Sequence, residues 1–427
     1  MTLIGWNIND TLYLNYICSI AMNRESMLLH VLLIFEAFAN FTISVDDNLP
    51  TRRSIAYNVI VVQEVCGLYH NVSKADVTTS LFGSSSFTKK NGAPAVATSL
   101  QSLLRTCTYG KVSLSRKATR VFVLSRVPIL QSLSPPNYCG CCTLTCLRAF
   151  LDASLTTAAI RFRHNVTTTP QPYLFKGTLL LFPRCQTCPW KGFARIGCVD
   201  RWRSSKESSR ECVSWFNGAF NKYRVQSSSC TYRYRPLNLA LALHEIGHNL
   251  GLRHSNSPGV EYGDTSCAMG IVSREVGTRC FNAAQSRFLG ASSALAHLNS
   301  DDGDITPDSP MCLPGIPALS ETSVNHAVLV YGEVDIVVSF RNATFYDAGL
   351  PGEHVERVAL HTLSNKWKSV NLSYPPVTLL LTLGRGEQHT FIERTGVAMR
   401  VTFDGYASSY PVHSHLSSRR AIVSVHL

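Results

Sequence analysis

Residues 244–254 read HEIGHNLGLRH, and no other feature constrains the fold of this chain as tightly. On an α-helix residues i and i+4 share a face, so His244 and His248 can address one point in space. A straight helix would carry His254 away from that point. Gly251 permits left-handed backbone, so the chain can leave the helix, reverse and return His254 as a third imidazole. Three imidazoles around one point suit a tetrahedral Zn2+ whose fourth position is open to water. Glu245, beside the first ligand, is placed to take a proton from that water and hand it to a leaving amine. The metal would lower the water's pKa towards about 7 and polarise a carbonyl. Ala240, Leu241, His244 and His248 fall on one helix face, and Leu239, Leu243, Ile246 and Leu250 on another. Both faces are largely apolar, so the helix is expected to be buried, with Pro236 at its first position.

Downstream, residues 262–270 read YGDTSCAMG. The two segments resemble the metzincin clan of zinc endopeptidases, which implies a methionine turn beneath the three histidines; Met269 is expected there, where a soft apolar side chain makes a floor for the site. Together with CFNAAQSRFLG at 280–290, these segments resemble the gametolysin family of metzincin zinc proteases. The resemblance is carried by residues 236–290 and reaches back to about 185; it does not extend to residues 40–110. It implies a secreted endopeptidase acting on cell-wall or extracellular-matrix glycoproteins, with His244, His248 and His254 as zinc ligands, Glu245 as catalytic carboxylate and Met269 as the turn. Some metzincins place a tyrosine two residues after that methionine. Ile271 stands there in this chain, and Tyr262 is the nearest substitute.

The resemblance also implies a twisted sheet over two helices. Arg120–Arg126 suits its first strand, Cys146–Ile160 its first helix and Gly177–Phe182 an inner strand. Gly192, Phe193 and Ala194 begin the expected edge strand of the cleft, where an extended peptide could pair with the backbone. The fold class is thus α+β: a metzincin-like domain followed by an all-β, sandwich-like one. Val334–Phe340, Thr378–Leu383, Val397–Phe403 and Ala421–Val425 are strand candidates in that second part.

The export reading comes from the N-terminus and the cysteines. Met27–Ala39 (MLLHVLLIFEAFA) is too short to span a bilayer, follows Arg24 and ends in a small-x-small site, the layout of a signal peptide. A start at Met22 would give it a conventional basic lead. Of 15 cysteines, 12 lie between Cys139 and Cys312, which reads as a disulfide framework. Cys139/Cys142 and Cys185/Cys188 have the spacing of a zinc ribbon, but the gap between the pairs is too long for one. Cys66 and Cys107 are expected to pair with each other; the alternative is that one of them enforces latency. Sequons begin at Asn9, Asn40, Asn71, Asn165, Asn342 and Asn371.

The division expected is 1–39 lead and signal peptide, 40–115 pro-segment, 116–300 catalytic domain, 301–317 linker and 318–427 β-sandwich-like domain. The net charge of +12 is dispersed, without the concentrated basic stripe of a nucleic-acid binder. The expected partners are the protein or glycoprotein substrates that the resemblance implies, with no nucleic acid and no transmembrane anchor. Two other readings are an adhesion or wall-binding protein working through its β-rich end, and a zinc hydrolase of another class. The third histidine and Met269 argue against the last.

Overall fold

The computed structural model describes residues 53–83, 99–127, 144–158, 173–198, 212–218, 222–224, 232–234, 237–271, 278–299, 310–316, 324–364, 375–407 and 420–426, with short interruptions inside several ranges. The signal and lead, Cys139, Cys142, Cys185, Cys66 and the sequons at Asn9, Asn40, Asn165 and Asn371 lie outside the described residues.

The first layer is a mixed sheet. Its strands are β1 (Arg53–Val62), β2 (Val112–Leu114), β3 (Arg120–Leu124), β4 (Tyr173–Phe182), β5 (Gly192–Ala194) and β6 (Val213–Asn217), in the order β2-β1-β4-β6-β5, with β3 also on β1. All pairings are parallel except the antiparallel edge pair β5–β6. β1 is buried on both faces, as central parallel strands are, and alternate residues feed two cores. Ile55, Tyr57, Val59 and Val61 pack under α1 (Lys74–Phe82), α2 (Leu100–Cys107) and the motif helix; Ile60 and Val62 pack under α3 (Leu144–Thr157) through Leu147, Phe150 and Leu151. Ser73 and Ser99 start α1 and α2 with capping boxes, each hydroxyl accepting an N3 amide.

This arrangement corrects four expectations. Residues 53–114 are not a segment apart: they supply the central strand and two helices packed in the same core as the motif helix, so no boundary falls at 115. The first strand is Arg53–Val62, and Arg120–Leu124 is a later strand laid against it. The expected helix at Cys146–Ile160 exists as α3, but it covers the face opposite the motif helix, whose companions are α1 and α2. Cys107 does not pair with Cys66. It is bonded to Cys280, 173 residues away, which ties α2 to the segment after Met269 and removes Cys107 from any latency role. A second bridge, Cys198–Cys212, joins the loop after β5 to the start of β6, and Cys188 is also disulfide-bonded.

The second layer is a ten-stranded sheet: β7 (Ser255–Asn256), β8 (Ser293–Asn299), β9 (Met311–Ile316), β10 (Val324–Tyr331), β11 (Val334–Arg341), β12 (Arg357–Ser364), β13 (Val377–Leu383), β14 (Gln388–Ile392), β15 (Ala398–Tyr406) and β16 (Arg420–His426). One wing runs β7-β13-β12-β11-β10-β8 and the other β9-β16-β15-β14, with β9 joined to both β11 and β16. Leu329, Val338 and Leu360 of one wing meet Val401, Phe403 and Val423 of the other in one core, the packing of a sandwich made from a continuous sheet. The reverse face of the first wing is covered by α5 (Ala283–Phe288) through Ala283 and Ala284.

The four strand candidates of this region are present, each within three residues of its expected ends. The linker expectation for 301–317 is corrected: Met311–Ile316 is β9, the hinge between the wings. The boundary at 318 is corrected as well, because β7 and β8 come from before it. Among the described residues no helix is long and apolar enough to cross a membrane. Asn71 is exposed, whereas Asn342 is buried and poorly placed to carry a glycan.

Candidate metal centre

The motif helix, α4 (Leu239–Asn249), starts where the Asn238 side chain accepts the Leu241 amide at 3.1 Å. The helix therefore begins at Leu239, and Pro236 lies outside the described residues. From Leu241 to Asn249 every residue is buried. Asn249 fastens the helix to the sheet. Its Oδ1 accepts from Tyr57 Oη and Ser214 Oγ, each at 2.9 Å, and its Nδ2 donates to the Arg195 carbonyl at 3.0 Å. Gly251 has φ +98°, the left-handed turn the sequence called for, and its amide donates to the His248 carbonyl at 2.8 Å. The chain then reverses into β7, which pairs with β13 of the second sheet.

His254 comes back to the helix. One ring nitrogen from each of His244, His248 and His254 lies within 4.8 Å of the other two. The opposite nitrogens are occupied: His244 Nδ1 stands 2.8 Å from the Ala268 carbonyl, His248 Nδ1 2.8 Å from the Leu252 carbonyl and His254 Nδ1 2.7 Å from Glu261 Oε1. A carbonyl or carboxylate oxygen only accepts, so each Nδ1 carries the proton and each Nε2 presents a lone pair. His248 Nε2 and His254 Nε2 stand 3.1 Å apart. Burial pushes His244 down to about 3 and His248 down to about 4, and lowers His254 too, so the imidazoles stay neutral at pH 7. Three neutral lone pairs converging at this range fit a divalent cation of the zinc type.

The other expected residues gather around this cluster. Glu245 is buried, and burial pushes its carboxyl up to about 8. Gly192 lies directly over it: a Cβ added there would fall 2.7 Å from Glu245 Cδ. Gly192, Phe193 and Ala194 form β5, the edge of the first sheet, paired with Phe216, Trp215 and Ser214. Phe193 is exposed and its ring stands 5.5 Å from that of Trp215. Met269 is fully buried against the helix backbone at Gly247, where a Cβ would come 3.3 Å from Met269 Cε. Ile271 is exposed, and Tyr262, with φ +61°, lays its ring 3.7 Å from that of His254.

The sequence reading missed four residues. Glu261 contacts His254, and Asn249 anchors the helix. Asp264 joins the His254 loop to the Met269 turn, and His361 reaches Asp264 from β12. Asn249 and Glu261 lie in or beside the motif, where a helix position facing the sheet and a carboxylate beside a third ligand are readable cues. Nothing local marks the pairing of Asp264 with His361.

No curated protein and no solved structure gives a match to the chain. A family model described as gametolysin peptidase M11 matches residues 56–374, a span that takes in nearly all of the first sheet, the whole histidine cluster and the second sheet as far as β12, and that corrects the expectation that the resemblance stops short of residues 40–110. The chain therefore belongs to the gametolysin peptidase family, and with it to the metallopeptidase-type hydrolases.

Proposed function

We propose that the protein is a secreted zinc endopeptidase that cuts peptide bonds in extracellular-matrix or cell-wall glycoproteins. The observation carrying this reading is the convergence of three neutral imidazoles beside the buried carboxylate of Glu245, under the free edge of a sheet. His244, His248 and His254 would hold the ion. Zinc, when bound, would supply the charge that keeps Glu245 ionised, polarise the scissile carbonyl and acidify water. Glu245 then takes a proton from the attacking water and passes it to the leaving amine nitrogen. β5 pairs with an extended substrate through its backbone, a mode that reads main chain and so tolerates varied side chains. Gly192 keeps the strand close to Glu245 by adding no Cβ between them. Supporting export are the signal-like run at Met27–Ala39 and the disulfides Cys107–Cys280 and Cys198–Cys212.

The test is metal analysis of the purified protein together with casein and gelatin cleavage, for wild type and Glu245→Ala. One zinc per chain in both proteins and cleavage by wild type alone is the expected result. Undiminished cleavage by the variant would overturn the role given to Glu245.

A further inference from the structure

The turn that carries Met269 is held from two sides. Asp264 is fully buried at the centre of it. Its Oδ2 accepts from Ser255 Oγ at 2.7 Å and Asn282 Nδ2 at 3.0 Å, and its Oδ1 accepts from the Ser266 amide at 3.0 Å. Ser255 directly follows His254, and its amide donates to the Met269 carbonyl at 2.9 Å. Asp264 is thus the node between the loop bearing His254 and the turn bearing Met269. The remaining partner of Oδ2 comes from far along the chain: His361 Nε2, on β12, at 3.1 Å, with both side chains sealed from solvent. Three more residues of the β-rich half grip the same turn. Arg341 donates to the carbonyls of Ser266 and Phe281. Asp347 pairs with Arg341 and accepts the Cys280 amide at 2.7 Å, and His354 meets Thr265 Oγ1 at 2.7 Å.

We infer that His361 is a positioning residue for the metal centre, acting through Asp264 to fix His254 and Met269, and that the β-rich half is a working part of the site rather than a detachable binding module. Five long-range polar contacts from four residues converge on residues 264–266 and 280–281, and all come from between residues 341 and 361. A buried carboxylate is costly unless every lone pair has a donor, so removing one donor loosens the node it holds. The shift is passed to His254, one residue from Ser255. This inference rests on the metal-centre reading above.

The test uses the full-length protein. His361→Leu removes the donor, His361→Asn is too short to reach Asp264, and His361→Gln restores an N–H at nearly the same reach. Zinc release to a chromophoric chelator, the absorption spectrum of the cobalt-substituted protein, and kcat and KM on a peptide substrate are read for each variant that shows a cooperative melt. Expected are zinc release faster by about tenfold or more in Leu and Asn, an altered cobalt spectrum, a lower kcat at nearly constant KM, and substantial recovery in Gln. Folded Leu or Asn variants with wild-type zinc release, spectrum and kcat would overturn the inference. Wild-type protein that takes up no zinc would overturn the metal-centre reading itself, and this inference with it.

Discussion

Glu261 Oε1 stands 2.7 Å from His254 Nδ1, whereas the other two imidazoles of the cluster are held by backbone carbonyls. A carboxylate behind an imidazole fixes its tautomer and raises its basicity as a ligand. Glu261 is mostly exposed, so solvent screens part of that effect. Glu261→Ala is expected to weaken zinc affinity by about tenfold, and Glu261→Gln, which keeps an acceptor, by less. Competition with a chelator of known affinity measures both. Equal affinity in all three proteins would remove Glu261 from the site.

Gly192 and Glu245 are packed as closely as backbone and side chain permit. A Cβ at Gly192 would sit 2.7 Å from Glu245 Cδ and 2.9 Å from Cγ, inside any real contact distance. Gly192→Ala must therefore move the carboxylate or lift β5. Either displacement costs about a hundredfold in kcat/KM if Glu245 moves the proton. The three histidines are untouched, so zinc content should stay at the wild-type level. Loss of zinc along with activity would point to a wider collapse and count against this account.

The features legible in the sequence are those whose cause is local. The spacing of His244, Glu245, His248, Gly251 and His254 fixes a helix, a turn and a convergence within 11 residues. Strands such as Ala398–Tyr406 show period-two alternation because one face packs and the other is less buried. β1 escaped because RSIAYNVIVV is buried on both faces, and a strand of that kind has no alternation to read. That is why residues 40–115 looked like a segment apart. The bond between Cys107 and Cys280, and the contact of His361 with Asp264, span 173 and 97 residues, and spacing alone cannot choose such partners. Met311–Ile316 contains Pro314 and Gly315 and follows an acidic run, so its composition suggested a linker, although its pairing places it between two wings of a sheet.

Asn249 makes three hydrogen bonds, two of them buried, that join α4 to β1, β6 and the segment after β5. Asn249→Ala would strand the Tyr57 and Ser214 hydroxyls in the core. Leaving such groups unpaired costs about 2 kcal/mol or more in total. Urea denaturation of the metal-free protein should show a lower midpoint with little change in slope. A midpoint equal to wild type would mean that water or relaxation replaces all three bonds.

His326 gives the β-rich half a sensitivity to acid. It is fully buried on β10, its Nδ1 lies 2.8 Å from Asn325 Oδ1, and its Nε2 has no hydrogen-bond partner among the described residues. Burial, then the charge of Arg287 and the presence of His297, push it down to about 3. The unfolded chain takes up a proton near pH 6.5, while the folded one does not until far lower pH. Between those limits the unfolded state binds more protons, so stability rises with pH and is lost as pH falls from about 6.5. At pH 5 that loss amounts to about 2 kcal/mol from this residue. His326→Met, which cannot titrate, should flatten the dependence of unfolding free energy on pH between 7 and 5 by about that amount; the loss of the Asn325 Oδ1 contact lowers stability equally at both pH values. Comparing wild type with the variant at both pH values cancels the contribution of the other histidines. Parallel pH profiles for the two proteins would show that His326 is already relieved of its burial in the native state.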